Sequence, residues 1–319
     1  MSGPRTPAQP LVPPSVGAHL IVDLSRPHVL HLILNRPKQL NAMTDALEAD
    51  LCAVLEWYEG HAELWLLLLS GAGRAFCAGQ DLKAWAAQPA RPTQTSPQGH
   101  ALQHLDDTLD VARRVRRGGF GALSTRRSSK PVIAAVDALA MGGGVEILLN
   151  CDLVIASSRS IFALPEVKRG VIAAQGGIPR LASIAGHHRT AEMLLLGNNI
   201  SASEAHDTFG FVNRIVSVDA SASAEEGNAA VLDVAFALAA QINANSPDAV
   251  ACTKEALLAA RDVGLGADGV NHSVIEQYCN ERNRALYVGE NIKEGLKAFA
   301  EKRPTQWKNP PVFRRESKL

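Results

Sequence analysis

The 319-residue chain reads as an α/β protein that becomes helical in its last third, and three features predict that class. Short leucine-rich or β-branched runs at Val29–Leu34, residues 64–69 and Val132–Val136 have the length and composition of buried strands. Between them lie stretches whose apolar residues recur at helical spacing. Beyond residue 216 no strand-like run appears, and helical patterns at 231–244, 246–261, 270–285 and 290–302 follow one another.

Taken in order, residues 1–18 carry five prolines and little apolar pattern, which predicts a disordered or loosely draped tail. Residues 19–24 and Val29–Leu34 are two strands separated by a hairpin-length turn, Ser25-Arg26-Pro27-His28. Thr44 stands where an N-cap belongs, ahead of a helix whose inner stripe is Leu47, Leu51, Val54, Leu55 and Tyr58. The 64–69 strand ends at the turn Ser70-Gly71-Ala72-Gly73. From Ala87 to Ser129 the periodicity weakens to a Pro/Gln/Thr-rich loop and a helix over 102–117. Strand Val132–Val136, a helix over 143–150 and an apolar run over 151–156 come next. A helix over His187–Leu196 stops at Gly197, Ser201-Ala202-Ser203-Glu204 opens another with a capping-box start, and 211–216 is the last strand. The units are thus a tail (1–18), an α/β core (19–225), a helical lobe (226–305) and a second tail (306–319).

Charge and cysteine usage narrow the function classes. Thirty-two basic residues balance thirty-two acidic ones, so no whole-protein attraction to nucleic acid or an anionic membrane is expected. No apolar run has the length of a membrane span. Five cysteines at 52, 77, 151, 252 and 279 form no CxxC pair, which predicts reduced thiols and neither a disulfide framework nor a zinc site. The glycine run at 142–144 does not spell GxGxxG, so no dinucleotide or other cofactor is implied. At the end of the chain, Ser317-Lys318-Leu319 reads as a peroxisomal import address, recognised by a receptor. The expected compartment is the peroxisome.

The chemistry concentrates between Lys130 and Arg180. Gly142-Gly143-Gly144 follows a buried strand and opens a helix, so unpaired amide donors would face any anionic oxygen placed there. Glu146 and Glu166 stand in segments too apolar for casual surface charge, and a buried carboxylate is costly without a partner or a task. Four motifs occur in order: Asn35-Arg36-Pro37-Lys38-Gln39-Leu40-Asn41-Ala42-Met43, Arg74-Ala75-Phe76-Cys77-Ala78-Gly79-Gln80-Asp81-Leu82, Ala140-Met141-Gly142-Gly143-Gly144-Val145-Glu146, and Phe162-Ala163-Leu164-Pro165-Glu166. With them, from about residue 19 to 304, the chain resembles the enoyl-CoA hydratase/isomerase (crotonase) family.

That resemblance implies a spiral of β-β-α turns with C-terminal helices forming a trimer, or a dimer of trimers. It implies an acyl-CoA thioester as substrate, with no metal or redox cofactor. Glu146 would activate water, and Glu166 would exchange a proton with the substrate's α-carbon. The amides of Gln80 and Gly143 would form the oxyanion hole. Arg36 and Lys38 would lie near the nucleotide end of CoA, with Asp81, Leu82 and Lys83 along its wall. Phe299 and Lys302 would reach a neighbouring subunit's CoA. Hydration of a trans-2-enoyl-CoA in β-oxidation or a secondary acyl pathway is the expected reaction. An enoyl-CoA isomerase or a carnitinyl-CoA-type dehydratase is the alternative. A non-catalytic, RNA-binding relative would have to use Arg113, Arg114, Arg116, Arg117, Arg126 and Arg127, but no aromatic residues interleave them to stack bases. The chain departs from the family pattern at Ala138, where glycine is usual. It departs again at Ala173-Ala174-Gln175-Gly176-Gly177, where Pro-Gly-x-Gly-Gly is usual; the Ala174 amide is expected to survive in a reshaped pocket.

Overall fold

The computed structural model describes residues 11–87, 117–263 and 280–313. Two sheets form its frame. The larger starts with β1 (Leu20–Asp23) antiparallel to β2 (Val29–Leu34), as the hairpin-length turn predicts. β3 (Leu66–Gly71), β5 (Val132–Val136), β7 (Leu153–Ser157) and β10 (Arg214–Val216) then add in parallel. The smaller sheet has the order β4 (Ala75–Cys77), β6 (Leu139–Met141), β8 (Ile161–Ala163), β9 (Ile200–Ser201).

The chain alternates between the two sheets. From β3 it crosses to β4 and enters α2 (Leu82–Ala86); from β5 it crosses to β6 and enters α3 (Gly143–Leu148). From β7 it crosses to β8, passes a 3₁₀ turn (Glu166–Arg169) and enters α4 (Gly177–Ala185). Each circuit is one β-β-α turn of a spiral.

Both faces of the larger sheet are buried, which explains its nearly continuous apolar strands. On one face Leu30, Leu32, Leu34, Leu67, Leu69, Val132 and Ala134 join the main core. α1 (Asp45–Glu59) covers this face, burying the predicted stripe of Leu47, Leu51, Val54, Leu55 and Tyr58, and Thr44 caps it by accepting from the Leu47 N–H. The alternate residues Leu66, Leu68, Ile133, Ala135 and Ile155 point the other way. They pack on Val231, Ala235 and Ala239 of α6 (Ala224–Asn243), which follows α5 (His187–Leu196) in the chain. α6 begins earlier than its apolar pattern predicts because Ser223 and Glu226 close a capping box.

An ion pair between buried Asp137 and half-buried Arg159 fixes the corner between the sheets. Arg159 donates to both Asp137 oxygens, at 2.9 and 2.6 Å, and also to the Ala222 carbonyl at the start of α6. The next residue, Ala138, has φ +60, a left-handed conformation that costs a residue with a Cβ.

Other expectations are modified by local packing. Leu11 and Val16 lie against the core and the Gly17 N–H donates to Asp50 at 2.9 Å, so the described part of the first tail is draped, not free. The 211–216 strand shrinks to Arg214–Val216, with Phe211 and Val212 buried in the core. After Ser201 the helix is one π-helical turn, Glu204–Thr208, although the reciprocal Ser201–Glu204 bonds form as predicted. α7 (Pro247–Val263), α8 (Glu281–Val288) and α9 (Glu290–Glu301) complete the helical part. The helix predicted over 102–117 and most of that over 270–285 lie outside the described residues, as do Arg113, Arg114, Arg116 and Ser317–Leu319. Among the described residues no helix is long and apolar enough to cross a membrane, and no cluster of metal-ligating side chains occurs.

Candidate active site

Glu146 reaches its position through the glycine run. Gly142, at φ +54, donates its N–H to Ala163 of β8 at 2.9 Å and turns the chain from β6 into α3. A Cβ on Gly143 would lie 2.6 Å from the Phe120 ring, and one on Gly144 would strike the Cys77 carbonyl oxygen. Space, not only flexibility, therefore demands the glycines. One turn into α3, Glu146 is only 4% exposed. Its Oε1 accepts from the N–H of Gln175 at 2.8 Å and of Gly177 at 3.0 Å. Gly177 opens α4, so the carboxylate also satisfies an otherwise unpaired helix-end donor. Burial raises the Glu146 pKa above the ordinary carboxyl range, with the two N–H bonds and the Arg180 charge opposing it.

Glu166 opens the 3₁₀ turn after β8 and faces Gly142, where an added Cβ would sit 3.2 Å from its Oε1. Its Oε2 is buried and finds no donor among the described residues. Burial pushes its pKa up to about 7, and the neighbouring Glu146 charge adds to the effect. Both glutamates line one cavity of about 630 Å³. A larger cavity of about 860 Å³ lies elsewhere, beside Lys130 and residues 310–313, and neither glutamate borders it.

Gln80 and Gly143 border the same cavity as the glutamates. As the first residue of α3, Gly143 has no intrahelical acceptor for its N–H. Gln80 bridges to Met43 through the Met43 N–H to Gly79 O bond and the Asp81 N–H to Met43 O bond, which leaves its own N–H out of the pairing. Gly79 brings the two segments together, since a Cβ there would lie 3.6 Å from the Gly143 nitrogen.

The other residues named from the sequence are distributed differently. Leu82 lines the cavity. Arg36 does not, because its guanidinium pairs with Asp81 at 3.1 Å and donates to the Ala42 carbonyl. Asp81 in turn caps α2 by accepting from the Ala84 N–H. This pair fastens the first motif to the second. Lys38 and Lys83 are exposed and away from the cavity wall. Phe299, 85% exposed, and Lys302 stand at the end of α9 and do not line this chain's own cavity. The Ala174 N–H is spent on the Ile172 carbonyl at 2.9 Å, so this amide does not face the pocket as a free donor.

Trp85, Phe120, Lys168, Arg169, Ile172 and Gln175 also line the site. None of them is among the site residues expected from the sequence, although Gln175 stands in the loop that departs from the family pattern. Phe120, a bulky ring set among Gly118, Gly119 and Gly121, was the most readable signal.

A family model described as enoyl-CoA hydratase/isomerase matches residues 26–115 and 121–310. The chain belongs to that family. Hydratase/isomerase chemistry on coenzyme A thioesters is therefore its general activity. Within the family it is 40% identical over 289 residues to a mevalonyl-coenzyme A hydratase of Beauveria bassiana, covering 90% of this chain and 94% of the relative. It is 34% identical to a carnitinyl-CoA dehydratase of Proteus mirabilis, over 89% of this chain and 96% of that one. A solved enoyl-CoA hydratase from Mycobacterium tuberculosis superposes with a TM-score of 0.73 at 32% identity, covering 92% of this chain and all of the other.

Proposed function

We propose that the protein adds and removes water across the α,β bond of an acyl-CoA thioester, and that the acyl group is branched and hydroxylated, of the mevalonyl type. The observation that carries the reaction is the pair of glutamates on one cavity in unlike surroundings: one held by two amide donors, the other raised to about pH 7. The similarity to a mevalonyl-coenzyme A hydratase over 90% of the chain supports the acyl group.

In the hydration direction Glu146, ionised, takes a proton from water as the water oxygen bonds to the β-carbon. The π electrons move toward the thioester, and the developing enolate oxygen rests on the Gly143 and Gln80 N–H groups. Glu166, protonated, then gives its proton to the α-carbon. The pair begins and ends with one proton, which has moved from Glu166 to Glu146. Dehydration runs the same steps backward, so no net proton and no redox partner is required. An isomerase needs only one carboxylate to carry a proton between carbons; the positioning of both glutamates favours the hydro-lyase.

The test is direct. Mevalonyl-CoA incubated with the protein should lose one water, read by mass and by the absorbance of the conjugated thioester. Its kcat/KM should exceed that of crotonyl-CoA hydration. Activity on crotonyl-CoA with none on mevalonyl-CoA would remove the acyl assignment; transposition of a 3-enoyl-CoA without hydration would remove the reaction. For the compartment, we read Ser317-Lys318-Leu319 as an import address, to be checked by the location of an amino-terminally labelled chain with and without those three residues. For assembly, the exposed Phe299 fits a contact with a second subunit, which light scattering would count.

A further inference from the structure

Gln175 has a feature that the reaction as written does not use. Its main chain is committed, since its N–H holds Glu146 Oε1 at 2.8 Å. Its side chain is not: Oε1 is buried and has no donor among the described residues, although the residue lines the catalytic cavity. A buried amide oxygen without a donor is costly, and such groups recur where a ligand supplies the missing partner.

The surroundings sharpen the point. Leu82, Trp85, Phe120, Val171 and Ile172 give the cavity an apolar wall, and Glu146, Glu166, Lys168, Arg169 and Gln175 are among the polar groups set beside it. Pockets of this kind select ligands through a few placed polar groups. Gln175 stands on the Glu146 side of the cavity, and Glu146 faces the β-carbon in the mechanism above. In that mechanism the thioester oxygen is held separately, on the Gly143 and Gln80 N–H groups. A polar group met by Gln175 therefore belongs to the acyl chain at or beyond the β-carbon, not to the CoA moiety. The terminal torsion of a glutamine side chain is soft, so its amide can turn its oxygen to an entering O–H and still offer its N–H₂.

We propose that Gln175 is a specificity residue whose side-chain amide binds a hydroxyl carried by the acyl chain beyond the β-carbon. The inference rests on the hydratase reading above and names the substrate class that the site selects: thioesters with a distal hydroxyl. A site built to pair with a substrate hydroxyl rejects the analogue that lacks it, because the buried amide is then left unpaired.

The experiment compares two thioesters differing only in that hydroxyl, mevalonyl-CoA and 3-hydroxy-3-methylpentanoyl-CoA, with the full-length wild type, Gln175→Leu and Gln175→Glu. Wild type should favour the hydroxylated thioester in kcat/KM by roughly tenfold to hundredfold. Gln175→Leu should collapse that ratio to near unity. Gln175→Glu, which keeps an acceptor at the same reach, should restore a preference of at least several-fold. Each ratio is internal to one variant, so partial misfolding cancels. A preference unchanged by Gln175→Leu would overturn the proposal, as would equal rates of the two thioesters in wild type. If neither thioester is dehydrated by wild type, the hydratase reading itself has failed, a result distinct from either of these.

Discussion

The two glutamates occupy neighbouring walls of one cavity yet are held in opposite ways. Around Glu146 the chain supplies donors: two backbone N–H groups converge on one oxygen, and α4 is partly capped by it. Around Glu166 it offers less: the residue's own N–H favours the ionised form, but Oε2 is buried without a donor among the described residues. Two like carboxyls in one pocket would compete for the same state. Unequal pairing separates them: two N–H bonds oppose the rise that burial gives Glu146, whereas Glu166 keeps a proton up to about pH 7.

The largest expected effect is on the chemical step. Glu146→Gln and Glu166→Gln should each lower kcat by about a hundredfold or more, the typical contribution of a general acid or base. Steady-state hydration kinetics would check this, and a variant retaining most of its activity would remove that residue from the mechanism.

The second effect is on pH. In the proposed mechanism Glu166 carries a proton, so kcat/KM should fall about tenfold per unit as pH rises beyond about 7. Interconversion neither consumes nor releases a proton, so the same alkaline limb should appear in both directions. Stability carries the matching sign. Glu166, with a folded pKa of about 7 above its unfolded 4.5, should make the fold less stable as pH rises from about 4.5 to about 7, with no further loss above that, and Glu166→Gln should remove that decline. Urea unfolding of wild type and variant at about pH 5 and about pH 8 would show it.

Stability separates the two sites again, more modestly. Glu146→Ala strands the N–H groups of Gln175 and Gly177 and should cost about 1–3 kcal/mol. Glu166→Ala removes an oxygen that was already unmatched and should cost far less. Equal losses in thermal unfolding would mean that the contrast in pairing has no energetic weight. The smallest effect is at the sheet corner, where Ala138→Gly relieves a φ of +60 and should stabilise by about 0.5–1 kcal/mol without altering kcat.

The strands that could be read from the sequence are those buried on both faces. Val29–Leu34 and Val132–Val136 are dense enough in apolar residues to be located without any partner, and the α1 stripe shows a full helical period. β4, β6 and β8 escaped notice because three residues carry no period; pairing across the spiral makes them strands. Glu146 and Glu166 were legible as acids set in apolar runs. Their unlike pairing was not, since the donors to Glu146 are backbone groups and backbone leaves no mark on a sequence. Arg36 and Asp81 stood out as charges in matching motifs, but nothing in two separate motifs announces that they neutralise each other.

Exchange of an α-proton isolates the division of labour most cleanly. A saturated acyl-CoA has no β-hydroxyl to lose, so in deuterated water only the group serving the α-carbon is needed to wash in label. Mass spectrometry should show label entering with wild type and with Glu146→Gln, and none above background with Glu166→Gln. Label entering at the wild-type rate with Glu166→Gln would contradict the account.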